Sequence, residues 1–294
     1  MGNKIDNSLN IDHSGICSSD DGLIIPEVGS WAERKYKLVH LYCDLFLKGI
    51  RHSWNQLVYI DLFAGSGKAK VRNTDKILAG SPLLALGLAN KFDQYIFCEE
   101  NEGLLQALQT RVESEYPQVN AHYILGDCNK KITDVLKLIP TPSRNNKVLT
   151  FCFVDPFSLN IEFDTIRTLC AQRYVDFLIL LALSMDGVRN ESIYIENNNQ
   201  RIDKFLGLSE WRGRWKNEQI KGKSFRKFLA NEYAQQMVTL NYKEESIKQM
   251  LEIKSDEKNL SLYHLAFFSR HSLGYRYWKE VKKYASDQRP LFED

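Results

Sequence analysis

Apolar positions along this chain switch between a helical period and short continuous runs. From Trp31 onward, Trp31, Tyr36, Leu38, Val39, Leu41, Tyr42, Leu45 and Phe46 recur at helical spacing and stop near Gly49, which predicts an amphipathic helix packed on a core. A short apolar run follows, Val58, Tyr59, Ile60 and Leu62, broken by Asp61 and succeeded by Gly65 and Gly67. It reads as a buried strand entering a turn that glycine makes possible. Four more strand-like runs come in order: Gln94 to Cys98, Ala121 to Leu125, Leu149 to Val154 and Val175 to Ala182. Helical patterns at Glu102 to Ser114, Lys130 to Leu138 and Phe163 to Gln172 separate them. Strands alternating with helices predict an α/β fold with a mostly parallel sheet.

The remaining segments depart from this rhythm. After the glycines comes a polar stretch, Lys68 to Ala79, and then Gly80, Ser81 and Pro82 ahead of Leu83, Leu84, Leu86 and Leu88. Serine followed by proline is a helix-start signature, so the polar stretch is expected to be an inserted loop over the glycine turn. Arg201 to Gln249 is charged and helical in pattern, Leu262 to Ser269 reads as a closing strand, and a short basic helix is expected around Tyr277 to Tyr284. Three parts are therefore expected: a flexible acidic segment over residues 1–30, an α/β domain over 31–183 and 261–294, and a helical, basic insertion over 184–260. The first part carries Asp6, Asp12, Asp20, Asp21 and Glu27 against Lys4.

Composition narrows the class. With 294 residues, 44% of them hydrophobic, the chain can bury one large core or a core with a smaller subdomain. No apolar run approaches the roughly 20 residues that a membrane span needs, and the start resembles no signal peptide, so a cytoplasmic protein is expected. The six cysteines, Cys17, Cys43, Cys98, Cys128, Cys152 and Cys170, lie too far apart for a zinc or iron–sulfur spacing. They read as reduced core thiols, and no metal is expected. A phosphate-binding loop is excluded by counting, because Leu62 stands five positions before Gly67 and Ala69 follows Lys68.

Ligands in parallel α/β sheets bind beyond the carboxyl ends of the strands, and acids accumulate there in this chain. The first strand offers Asp61 with Phe63, Ala64, Gly65 and Gly67; the second, ending FCEEN, offers Glu99 with Glu100 behind it. The third, ending ILGDC, offers Asp127 and Cys128, and the fourth offers Asp155, Pro156 and Phe157. Glu99 suits a pair of ribose hydroxyls, since a carboxylate accepts both hydrogen bonds. Asp127 suits an adenine amino group, with Cys128 against the ring. Asp61 has two readings, one as a cap on the glycine turn and one in cofactor placement.

In order, DLFAGSG (Asp61 to Gly67), FCEEN (Phe97 to Asn101), GDC (Gly126 to Cys128) and VDPF (Val154 to Phe157) resemble the four motifs of class I S-adenosylmethionine-dependent methyltransferases. Beyond Val28, the lead helix WAERKYKLVHLY, the AGSPLLAL segment, VDPF and LYHLAFFSRHSLGYRYW resemble the three-Cys-motif partner protein family over nearly the whole chain. The resemblance implies a Rossmann-like methyltransferase fold of seven mostly parallel strands with a helical insertion before the last ones. It also implies S-adenosylmethionine as cofactor, and a partner protein similar to radical-SAM proteins that carries three cysteines. Asp155-Pro156-Phe157-Ser158 has one proline where enzymes methylating exocyclic amines usually carry two, which leaves the acceptor open.

Charge adds a third consideration. The net charge is only +2, yet Arg201 to Ala230 holds nine basic residues against three acids. Arg212, Arg214, Lys216, Lys221 and Lys223 alternate there with Trp211, Trp215, Phe225 and Phe228. Such a segment is either a nucleic-acid surface or a solvated helical face with its own small core. Three functions stay open: a methyltransferase acting on nucleic acid, a catalytically degenerate subunit for the three-cysteine partner, and a nucleic-acid-binding module.

Overall fold

The structure, a computed structural model, describes residues 17–243, 247–255 and 259–286. Residues 1–16 of the expected acidic segment, and 287–294, lie outside the described residues. Two short strands, β1 (Cys17–Ser18) and β2 (Glu27–Val28), precede helix α1 (Trp31–Ile50). The chain continues through β3 (Gln56–Asp61), β4 (Lys68–Val71), β5 (Ile77–Ala79), α2 (Ser81–Gly87), β6 (Gln94–Glu99), α3 (Glu102–Glu115), β7 (Ala121–Leu125) and α4 (Cys128–Leu138). Then come β8 (Val148–Val154), α5 (Phe163–Cys170), β9 (Tyr174–Leu181) and a π-helical turn at Leu183–Val188. Four helices follow, α6 (Glu191–Tyr194), α7 (Arg201–Leu206), α8 (Trp211–Ile220) and α9 (Phe225–Thr239), before β10 (Leu251–Lys254), β11 (Ser261–Phe268) and α10 (Ser272–Ser286).

Seven strands form one sheet in the order β10-β11-β9-β8-β3-β6-β7. The five strands from β9 to β7 are mutually parallel, whereas β11 runs antiparallel to β9 and β10 antiparallel to β11. This is a Rossmann-like fold with the seven-stranded, mostly parallel sheet expected from the sequence. The chain winds outward from β3 through β6 to β7, returns to β8, and winds the other way. The reversal leaves a crevice between the carboxyl ends of β3 and β8, where open α/β sheets hold their ligands. Every residue of β8 is buried, as the continuous apolar run VLTFCFV requires of a central parallel strand.

Aromatic packing fixes α1 on this sheet. The Tyr42 ring lies 5.0 Å from Phe151 of β8 and 4.9 Å from Phe267 of β11, and Trp278 of α10 stacks on Phe267 at 5.7 Å. Each such pair adds about 0.5–1.5 kcal/mol beyond the area it buries.

Three expectations need correction. The polar stretch Lys68 to Ala79 is a hairpin, β4 with β5, rather than an open loop. It joins β1 and β2 in a second sheet of order β1-β5-β4-β2. Residues 17–28, expected to be loosely ordered, supply both outer strands of that sheet. Arg111 of α3 explains why they are held. Its guanidinium, almost wholly buried, donates at 2.7 Å to both carboxylate oxygens of Asp21, at 3.2 Å to the Ile24 carbonyl and at 2.6 Å to the Ser66 carbonyl inside the glycine turn. Lys68 reaches the same Asp21 at 2.9 Å. Arg111 first, then Lys68, hold the Asp21 carboxyl well below the usual carboxylate range.

The second correction concerns the helix start, where Gly80 rather than Ser81 occupies the cap position and Ser81 is the first helical residue. The third concerns the insertion. It is helical from Glu191 to Thr239, but β10, inside the span assigned to it, is the edge strand of the main sheet. LEIK alternates apolar and polar residues, but four positions flanked by charged sequence are too few to stand out as a period-2 signal.

Candidate functional site

The crevice is built from the turn after β3. Asp61 is fully buried, and its carboxylate accepts the Phe63 N–H at 3.2 Å and the Tyr59 hydroxyl at 3.3 Å. Burial pushes its pKa up to about 7, against the opposing pull of Ser81 and the Phe63 N–H, and the Asp155 charge adds to the rise. Asp61 therefore caps the turn, the first of its two readings. Phe63 is half-buried, and the buried Ala64 donates its N–H to the Cys98 carbonyl of β6 at 3.0 Å. Gly65 has φ of +61° and a side-chain direction that meets nothing within 4 Å. Gly67 has φ of +82°, and a Cβ there would stand 2.8 Å from Leu108. The two glycines thus do different work: Gly67 permits close packing, and Gly65 faces open space.

Glu99 ends β6 and organises the turn. Its Oε2 accepts the Gly65 N–H at 2.8 Å and its Oε1 accepts the Asn101 N–H at 2.9 Å. Asn101 in turn caps α3 by accepting the Leu104 N–H at 3.0 Å. Each Glu99 oxygen keeps a lone pair for a ligand hydroxyl. Glu100, the other acid of this pair, is exposed.

At the end of β7, Asp127 caps α4 by accepting the Asn129 N–H at 2.9 Å. Its carboxylate is committed to the helix by one oxygen, a role that the adenine reading did not include. Cys128 is buried, and burial raises its thiol well above the usual value; burial likewise pushes Cys98 up to about 12. Neither is a thiolate nucleophile.

At the end of β8, Asp155 pairs with Lys35 of α1, both almost buried. Burial alone would lower the Lys35 pKa, but the Asp155 charge outweighs it and holds the ammonium above the ordinary lysine value. Lys35 was missed in the sequence reading, although it lies on the apolar stripe of α1 between Trp31 and Leu38, where a charge has no business without a partner. Pro156 is buried, and Phe157, two residues after Asp155, is 83% exposed, a large ring standing in solvent. The loop behind it is locked by Asp186 of the π-helical turn. One Asp186 oxygen accepts the Leu159 N–H at 2.8 Å; the other accepts Asn190 Nδ2 at 2.6 Å and the Tyr194 hydroxyl at 2.7 Å. π-Helical turns often sit at functional sites. A polar pocket of about 470 Å³ opens between this loop and the insertion, lined among others by Asn160, Glu162, Tyr194, Arg201 and Lys204.

The basic segment turns out differently from its nucleic-acid reading. Trp211, Trp215, Phe225 and Phe228 are buried against one another, with Trp215 5.0 Å from Phe225 and 5.3 Å from Phe228. They form the insertion's own core and present no face for stacking bases. Arg212 is tied to Asp203 at 2.5 Å, Arg214 to Glu232 at 2.7 Å, and Lys221 and Lys223 both to Glu218, while Lys216 is exposed. The excess of positive charge is thus largely neutralised by local acids. Among the described residues, no group of three or more His, Cys, Asp or Glu is arranged to hold a metal, and no helix is long and apolar enough to cross a membrane.

No protein-family model and no curated protein sequence matches this chain. Among solved structures, it is similar to Trm1 from Pyrococcus horikoshii in complex with S-adenosyl-L-methionine, at 10% identity, covering 84% of this chain and 56% of that one with a TM-score of 0.44. It is also similar to an rRNA methylase from Streptococcus thermophilus, at 9% identity, covering 81% of this chain and 94% of that one with a TM-score of 0.37. The O-methyltransferase TomG from Streptomyces achromogenes, solved with S-adenosylmethionine, matches at 11% identity over 65% of this chain and 70% of its own, with a TM-score of 0.35. These are distant likenesses; the order and direction of the strands make the fold Rossmann-like.

Two consequences can be measured. Replacing Lys35→Met strands Asp155 as an uncompensated, nearly buried carboxylate and should cost about 3 kcal/mol in urea denaturation, whereas the double variant K35M/D155N should cost distinctly less. Equal or additive costs would mean that the two side chains are not coupled. For Asp61, the folded pKa of about 7 exceeds the unfolded 3.8, so raising pH through that window favours the unfolded chain. The stability of Asp61→Asn relative to the natural chain should therefore rise from about pH 4 to pH 7, by at most ~1.4 kcal/mol per pH unit, and level off above. A difference independent of pH would contradict the raised pKa of Asp61.

Proposed function

We propose that this protein is an S-adenosylmethionine-dependent methyltransferase whose donor sits over the turn at Gly65 and whose acceptor meets Asp155 and Phe157. The observation that carries this reading is the pairing of Gly65 with Glu99. An open, left-handed glycine at the end of the first strand and a carboxylate with spare lone pairs at the end of the second border the same crevice. A cofactor with an amino-acid end and a ribose fits that donor set: backbone near Gly65 for the former, Glu99 for the hydroxyl pair of the latter. Asp127 and Cys128 would border its ring.

When bound, S-adenosylmethionine supplies an electrophilic methyl group on a sulfonium. The residues of this chain then contribute position and charge. Asp155, held in one orientation by Lys35, can accept a hydrogen bond from the acceptor group. Phe157 can cover a flat acceptor by stacking, because its ring is exposed and unoccupied by neighbouring core. A flat acceptor beside a carboxylate supports a nucleobase as substrate, and the pocket next to that loop carries Arg201 beside Lys204, the latter paired with Glu162 at 2.9 Å. We place nucleic acid among the acceptors on that ground, without the stacking role for Trp211 and Trp215. The three-cysteine partner rests on the sequence resemblance alone.

Calorimetry on the full chain tests the donor site. S-adenosylmethionine should bind with one-to-one stoichiometry, and Gly65→Ala, whose new Cβ projects into open space at a backbone cost of about 1 kcal/mol, should weaken it at least tenfold while the protein stays folded. No heat of binding from folded protein, or unchanged affinity in the variant, would overturn the assignment.

A further inference from the structure

A second cavity lies at the other end of the sheet. It measures about 560 Å³ and opens where β8 and β9 begin, between the end of α1, the loop before β8 and the start of α10. Nothing in the proposed methyl transfer uses it.

Its floor holds an anomaly. β9 reads YVDFLILL, and Asp176 is the one charged residue in a strand otherwise apolar apart from the hydroxyl of Tyr174. Asp176 lines the cavity, yet it is only 6% exposed, and a Ser269 hydroxyl is its hydrogen-bond partner. That hydroxyl also donates to the His271 carbonyl at 3.1 Å, and it has a single proton to give. A buried carboxyl so poorly supplied with donors is costly, and burial is tolerated readily only where donors are completed. Gly274 in the first turn of α10 lets that helix approach closely, since a Cβ there would stand 2.8 Å from the Ser269 hydroxyl and 3.1 Å from Asp176 Oδ2.

The walls and mouth complete the pattern. Trp54 and Tyr174 face each other across the wall at 5.7 Å with ring planes tilted by 59°, and Tyr174 is 55% exposed. Arg144 and Lys147 stand at the mouth, both exposed, and neither makes an ion pair among the described residues. Arg270, by contrast, is spent on the carbonyls of Leu240, Arg173 and Cys170. Among the described residues, no other acid lines the cavity.

We infer that this cavity binds a free guanine nucleotide, base inward. A carboxylate accepts two adjacent N–H donors at once, and among the common bases guanine presents such a pair, its ring N–H and exocyclic amino group. The aromatic wall takes the flat ring, and the two uncommitted cations take the phosphate. The volume is ample for one nucleotide. This site is separate from the donor crevice and stands whether or not the methyltransferase reading does.

Calorimetry with GMP, guanosine, AMP and inorganic phosphate on the full chain tests it. GMP should bind at least tenfold tighter than AMP; Asp176→Asn should weaken GMP tenfold to a hundredfold; and R144A/K147A should weaken GMP but not guanosine. Should Asp176→Asn fail to fold, Tyr174→Ser on the exposed wall should still weaken GMP and guanosine alike. Equal binding of GMP and AMP, phosphate alone binding as well as GMP, or no binding by folded protein would each overturn the proposal.

Discussion

A central parallel strand is buried on both faces, so an acid at its end must find donors or an opposite charge within a nearly water-free layer. This constraint shapes the crevice. β3 and β8 are neighbours, and Asp61 and Asp155 stand where they end. Two negative charges there would repel each other, and the structure avoids this in two ways. Burial pushes the Asp61 pKa up to about 7, which lessens its charge, and its carboxyl is turned to the backbone of its own turn, while Asp155 is given Lys35. Helix α1 therefore does more than cover the sheet: it delivers a cation to the site, and the aromatic cluster around Tyr42 sets where that cation arrives.

The same economy governs the glycine turn. Glu99 gathers N–H groups from two successive crossovers, and Arg111 clamps the Ser66 carbonyl from behind while holding Asp21. The turn is thus fixed from both sides before any ligand arrives, which is the preorganisation that binding and transfer chemistry gain from most. The small sheet of β1, β2, β4 and β5 is part of this support.

What was legible in the sequence follows from range. The central strands of the main sheet are largely apolar runs, and acids directly after them announce themselves, so Asp61, Glu99, Asp127 and Asp155 could be placed at strand ends by reading alone. Their partners could not. Lys35 and Asp155 are 120 residues apart, and Asp21 and Arg111 are 90 apart, distances at which no local period speaks. The basic insertion misled for the opposite reason. Its alternation of cations and rings is real, but amphipathic helices with a small core produce it as readily as a nucleic-acid surface does, and burial of Trp211 and Trp215 decides for the core. Asp176 escaped notice because a single acid inside a strand run carries no motif; only its burial against a cavity gives it meaning.

The central claim is that the turn at Gly65 and the carboxylate of Glu99 form the donor site at the carboxyl ends of β3 and β6. Hydrogen exchange read by mass spectrometry, with and without S-adenosylmethionine, tests it most directly. The account predicts slowed exchange confined to peptides covering 61–67, 97–101 and 126–129, because the ligand covers the amides there. Protection elsewhere, above all in the peptides around Asp176 and Gly274 at the opposite end of the sheet, with none at 61–67, would contradict it.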